Sequence, residues 1–154
     1  MIKDSILFIT IIFFFSNCKR KEKIEENTFD KQQMLKDIAD DYILQRIEAF
    51  EIVLGELEEA VEGFVDSVTL NQLDKVKYKW RIANSVYKEC RAFNIGAVKE
   101  TYSHLRIETR PANPNFIENN IADSLAVIND GYFETIGFSS KGFGGIEYLL
   151  YHDT

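Results

Sequence analysis

Histidine and cysteine are scarce. The 154 residues contain two of each. A metal site made only of His and Cys is therefore nearly excluded, and carboxylates would have to supply most of its ligands. Basic charge is also short: 18 Lys and Arg stand against 25 Asp and Glu, a net charge of −7. A chain so balanced lacks the clustered cations that hold a nucleic-acid backbone. No His-Glu-x-x-His pair is present to put two imidazoles on one helix face. No Gly-x-Ser-x-Gly nucleophile turn occurs, and no Cys has a candidate His partner. No alternating strand pattern is sustained either, so the fold class is all-α. With 45% hydrophobic and 28% charged residues, the chain is globular and long enough for one modest domain.

Residues 1–17, "MIKDSILFITIIFFFSN", read as a targeting segment. Ile6 to Phe15 is apolar except for Thr10. That is shorter than the roughly 20 residues a spanning helix needs, and it fits the core of a secretory signal. "FSNC" (15–18) resembles a bacterial lipobox, with Cys18 as the lipidated residue, although Phe15 is bulkier than the usual Leu. Attached acyl chains would hold the protein on a membrane. "KRKEKIEEN" (19–27) is charged and has no apolar period, so 18–29 is a flexible tether and 30–154 the domain. Cys90 then has no partner, and its place on an apolar helix face makes it a buried, inert thiol.

Ala39, Ile43, Ile47, Phe50, Leu54, Leu57, Val61, Phe64 and Val68 recur in steps of three and four. The stripe predicts one long helix over 31–68, with Asp30 as its N-cap. "TLNQ" (69–72) has the form of a capping box. A second stripe follows through Leu73, Val76, Trp80, Ala83, Tyr87 and Cys90, ending near Phe93 before Gly96. The short connection makes these two helices antiparallel neighbours. A shorter helix is expected in 97–108, and a proline loop in 109–115. A helix over 116–130 would carry Ile117, Ile121, Leu125 and Ile128 inward behind a cap at Asn115. Irregular chain is expected at 131–142, then helix at 143–151. His104, among charges, reads as a solvated surface residue, and His152 as part of a frayed end.

Three segments carry a family resemblance. "KYKWRIANSVYKECRAFNIG" (77–96), "TRPANPNFIE" (109–118) and "SSKGFGGIEYLL" (139–150) resemble, in order, segments of the imelysin-like, or M75 peptidase, family. The last resembles its hallmark Gly-x-His-x-x-Glu followed by an apolar run. Gly142 takes the Gly position and Glu147 the Glu position, while Gly144 stands where the His belongs. The sequence is similar to a branch of the family that lacks that His. The resemblance covers about 31–154 and implies an up-down helical bundle, of which this chain would form the first half. A truncated or partial member of the family is expected, with its apolar stripes left exposed.

The function that the resemblance implies is a lipid-anchored protein of the bacterial cell envelope, linked to uptake of iron or another divalent metal. It would sit on the periplasmic side of the outer membrane or on the cell surface. Its contacts would be with the membrane through Cys18, and with a protein partner in the envelope. Glu147 is the candidate metal ligand, with His152 or Asp153 nearby; no catalytic residue is assigned. The alternatives are an M75-type metallopeptidase using Glu147, and a non-catalytic interaction protein at the membrane.

Overall fold

The computed structural model describes residues 29–123 and 127–152. The signal segment, Cys18, nearly all of the tether, Leu125 and Asp153 lie outside the described residues. Gln32–Thr154 forms one compact unit. Among the described residues there is no strand, only an isolated antiparallel bridge between Glu108 and Gly142. No helix among them is long and apolar enough to cross a membrane.

The first long helix runs unbroken through three pieces: α1 (Lys31–Ile38), a π turn (Ala39–Ile43) and α2 (Leu44–Asp66). The backbone stays right-handed helical at Ile38, Ile43 and Leu44, and the Leu44 N–H donates to the Ala39 carbonyl. Two consecutive four-residue steps of the stripe, Ala39–Ile43–Ile47, fall at this turn. A π turn takes up more residues than an α turn, which keeps these side chains in line.

Thr69 caps α3 (Leu70–Cys90), its hydroxyl accepting from the Gln72 N–H at 3.3 Å. The reciprocal half of the box is not made, because the Gln72 side chain turns toward Gly63 instead. Glu56 pairs with Lys79 and Arg46 with Glu89. As one number rises the other falls, so α2 and α3 are antiparallel, as their short connection requires.

The α3 stripe is the buried one: Val76, Trp80, Ala83 and Tyr87 are each 5% exposed or less. The α2 stripe splits. Phe50, Val53, Leu57, Ala60 and Phe64 face the core, while Ile47, Leu54 and Val61 are 46%, 38% and 38% exposed. Each helix buries one line against its neighbour, and among the described residues no helix covers the second line on α2.

After the 3-10 turn Arg91–Phe93 the chain breaks into short pieces, α4 (Ala97–Glu100) and α5 (Ser103–Ile107). Gly96, at φ +54°, turns the chain between them and α3. The cap of α6 (Pro114–Ala122) is Asn113, whose side chain accepts from the Phe116 N–H at 3.2 Å, not Asn115. Pro114 occupies the first turn, which Asn115 would otherwise open. The helix stops at Ala122, short of the expected 130. Ile117 is buried, but Ile121 and Ile128 are 61% and 70% exposed, so neither draws the chain inward as the stripe predicted. Asn129 caps a further helix, α7 (Asp130–Thr135), inside the stretch expected to be irregular. A 3-10 turn (Phe138–Ser140) leads into α8 (Gly142–Tyr151).

α8 closes the core. Phe143, 3% exposed, stacks on Tyr87 at 5.6 Å and meets Trp80 and Phe50. The Trp80 indole N–H donates to the Phe143 carbonyl at 3.3 Å. Tyr151, at the other end, packs on Trp80 and donates to the Lys77 carbonyl, so α8 runs antiparallel to α3. Each large side chain buried here contributes about 1.5–3 kcal/mol.

Candidate functional site

The start of α8 lies on the backbone of residues 106–109. Gly142 has φ +65°, and a Cβ there would collide with the carbonyls of Ile107 and Arg106. A Cβ on Gly144 would sit 2.6 Å from the Thr109 carbonyl oxygen, and one on Gly145 would sit 2.8 Å from that of Ser140. Gly144, which the resemblance sets at the His position, therefore has no open space before it. Another backbone fills the space that any side chain there would enter.

This close approach assembles a row of alternating charges. Glu108 follows α5, and its side chain is only 3% exposed. Its Oε2 accepts from Arg91 Nη1 at 3.0 Å and its Oε1 from Arg110 Nε at 2.5 Å. Arg110 Nη1 reaches on to Glu147 Oε2. Burial works against the Arg110 charge, but its hydrogen bonds to Glu108 and Glu147 outweigh it and push its pKa up. Two guanidiniums around a carboxylate with no access to water are what such a burial needs.

Beside the row, the Tyr87 hydroxyl donates to the His104 carbonyl at 3.3 Å. Burial first, and the Glu108 charge second, push the Tyr87 pKa up. His104 is half-buried rather than solvated, and its Nδ1 is a buried atom without a hydrogen-bond partner. His152 is exposed and stacks on Tyr148 at 4.4 Å. Cys90 is half-buried; its thiol donates to the Arg46 carbonyl at 3.3 Å, and burial pushes its pKa up.

Of the residues read from sequence, Gly142, Gly144 and Glu147 share this one corner. Glu108, Arg110 and Arg91 were missed as site residues. Their signal was present: Glu108 and Arg110 flank Thr109 at the start of the second resembling segment, and Arg91 sits in the first. No one-helix periodicity links positions on three different elements. The metal site implied by the resemblance does not fit these residues. A metal on Glu147 would have to take that carboxylate from Arg110. Among the described residues no three His, Cys, Asp or Glu side chains are grouped so that they could hold a metal ion.

Fold and site define a helical-bundle domain in which a glycine-rich helix start is packed beside a buried glutamate held by two arginines. The imelysin family model, that of the M75 peptidases, matches residues 43–154, and the chain belongs to the imelysin family. Comparison with curated proteins and with solved structures returns no match.

Proposed function

We propose that the protein is a lipid-anchored binding module of the bacterial cell envelope rather than an active peptidase. The observation behind this reading is the engagement of Glu147 by Arg110, next to a Gly144 position with no room for a side chain. A carboxylate held in an ion pair is poorly placed to act as a general base or to ligate an ion. The iron or metal association implied by the family would then run through what the domain binds, not through an ion on Glu147. Anchoring rests on Cys18 and the apolar stretch before it. A second reading, a docking role toward an envelope protein, is favoured by the exposed line Ile47, Leu54 and Val61.

The test combines peptide hydrolysis, with and without chelator, and calorimetric titration with ferrous iron, zinc and copper. The expected result is no chelator-sensitive cleavage and no stoichiometric heat that Glu147→Gln abolishes. Cleavage lost on chelation would overturn the proposal. Cys18→Ala is expected to move the protein out of the membrane fraction, and retention there would refute the anchor.

A further inference from the structure

Two cavities adjoin at Arg91. One, of about 430 Å³, is walled by apolar side chains including Ile43, Ile47, Phe50, Phe93, Val98 and Ile107. The other, of about 330 Å³, is polar and reaches Glu108 and Arg110. They share Tyr87, Arg91, Asn94 and His104 as a common wall. Each is within the roughly 300–1,000 Å³ of small-molecule sites.

The shared wall has unused hydrogen-bonding capacity. Arg110 is held by two carboxylates, but Arg91 makes one ion pair, from Nη1, and its side chain is 57% exposed. A guanidinium carries five N–H donors, so most of that fork is free. His104 Nδ1 and Asn94 Oδ1 are buried atoms with no partner. Both lie behind the wall, out of a ligand's direct reach, so the capacity open to the cavity is that of Arg91.

We propose that the joined cavity binds an organic acid with an apolar chain. The chain lies among Ile43, Phe50 and Val98, and the carboxylate accepts from Arg91. A charge-assisted fork of this kind selects carboxylate over a neutral head. The inference rests on the binding-module reading and gives it a ligand class.

The test uses the full chain in lipid nanodiscs, with empty nanodiscs as the blank, read by methyl NMR of Ile43, Ile47 and Ile107. Hexanoate is expected to shift these signals, and hexanamide to bind at least tenfold more weakly. Octanoate should bind about fifteenfold tighter than hexanoate, from about 0.8 kcal/mol per buried CH₂. Arg91→Gln should lower hexanoate affinity about tenfold and leave hexanamide unchanged. Val98→Phe should weaken both by filling the cavity. Equal affinity for hexanoate and hexanamide, or no methyl shifts at all, would overturn the proposal. That ratio is measured on the unaltered protein, so it decides even where Arg91→Gln fails to fold. Chelator-sensitive peptide cleavage would sink the binding-module reading and leave the ratio standing, so the two failures are distinguishable.

Discussion

Replacing Gly144 by alanine is expected to destabilise the protein, although the same change at a helical glycine usually stabilises. Two effects oppose each other. In a helix interior Ala is favoured over Gly by about 1 kcal/mol, and rather less in the first turn of α8. Against this, the new Cβ would sit 2.6 Å from the Thr109 carbonyl oxygen. That oxygen belongs to a main chain pinned by the Glu108–Gly142 bridge on one side and Pro111 on the other, so it cannot swing away as a side-chain tip would. Overpacking of this kind costs about 1–3 kcal/mol. The net expectation is a loss of about 1–2 kcal/mol, or about 3–8 °C in Tm for a domain of this size. Gly144→His, which restores the family's residue, should lose at least as much, since it carries the same Cβ. Gly55 is the control, because a Cβ there meets nothing within 4 Å. Gly55→Ala should gain about 0.5–1 kcal/mol. Urea and thermal unfolding followed by circular dichroism give both numbers. A Gly144→Ala variant as stable as the parent would refute the close approach.

Three further outcomes follow from the same geometry. Removing the buried carboxylate by Glu108→Ala should cost about 2–4 kcal/mol in urea unfolding, less than a fully buried pair because both arginines still reach water; Glu147→Gln, at a half-exposed pair, should cost under about 1 kcal/mol. Alkaline stability should fall, because the Tyr87 and Cys90 pKa values are both raised by burial above their ordinary 10.0 and 9.0. Protons held more tightly in the folded state give stability that is complete below about pH 9 and is lost as pH rises through the higher folded values; unfolding midpoints across pH 8–11 test this, and Cys90→Ala should flatten the onset. The Cys90 thiol should also react with iodoacetamide at pH 8 several-fold slower in the native protein than in urea, and equal rates would contradict its burial.

The sequence stripes revealed the helices but not which line of each is covered. On α3 the stripe and the core coincide, since Val76, Trp80, Ala83 and Tyr87 share one buried cluster with Leu57, Ala60 and Phe143. On α2 the same three–four spacing spans two lines, and only tertiary packing chooses Phe50, Leu57 and Phe64 over Ile47, Leu54 and Val61. Between 97 and 140 the elements are too short for periodicity to mark them, and their boundaries come from caps. Asn113 and Asn129 each accept from an N–H three residues on, which the sequence permits at Asn115 equally well. Glu147 was visible because one helix carries it beside the glycines. Glu108 was not, because an acid between Ile107 and Thr109 has no signature of burial until Arg91 and Arg110 arrive from elsewhere in the chain.

The glycines around Phe143 also explain why this segment carries Arg110 and Glu147 as an ion pair. Gly142, Gly144 and Gly145 each meet a carbonyl of a neighbouring segment, and between them Phe143 is driven into the ring cluster of Trp80, Tyr87 and Phe50. With the start of α8 laid directly on residues 106–109, Glu147, one turn along, comes within reach of Arg110, and Arg110 within reach of Glu108. A histidine at 144 would need the Thr109 carbonyl to move out, and moving it would carry Arg110 away from one of its two carboxylates. In this chain a side chain at 144 and the Arg110 bridge between Glu108 and Glu147 therefore exclude each other. The glycine that leaves room for the Thr109 carbonyl is thus also the residue that lets the ion-pair row close.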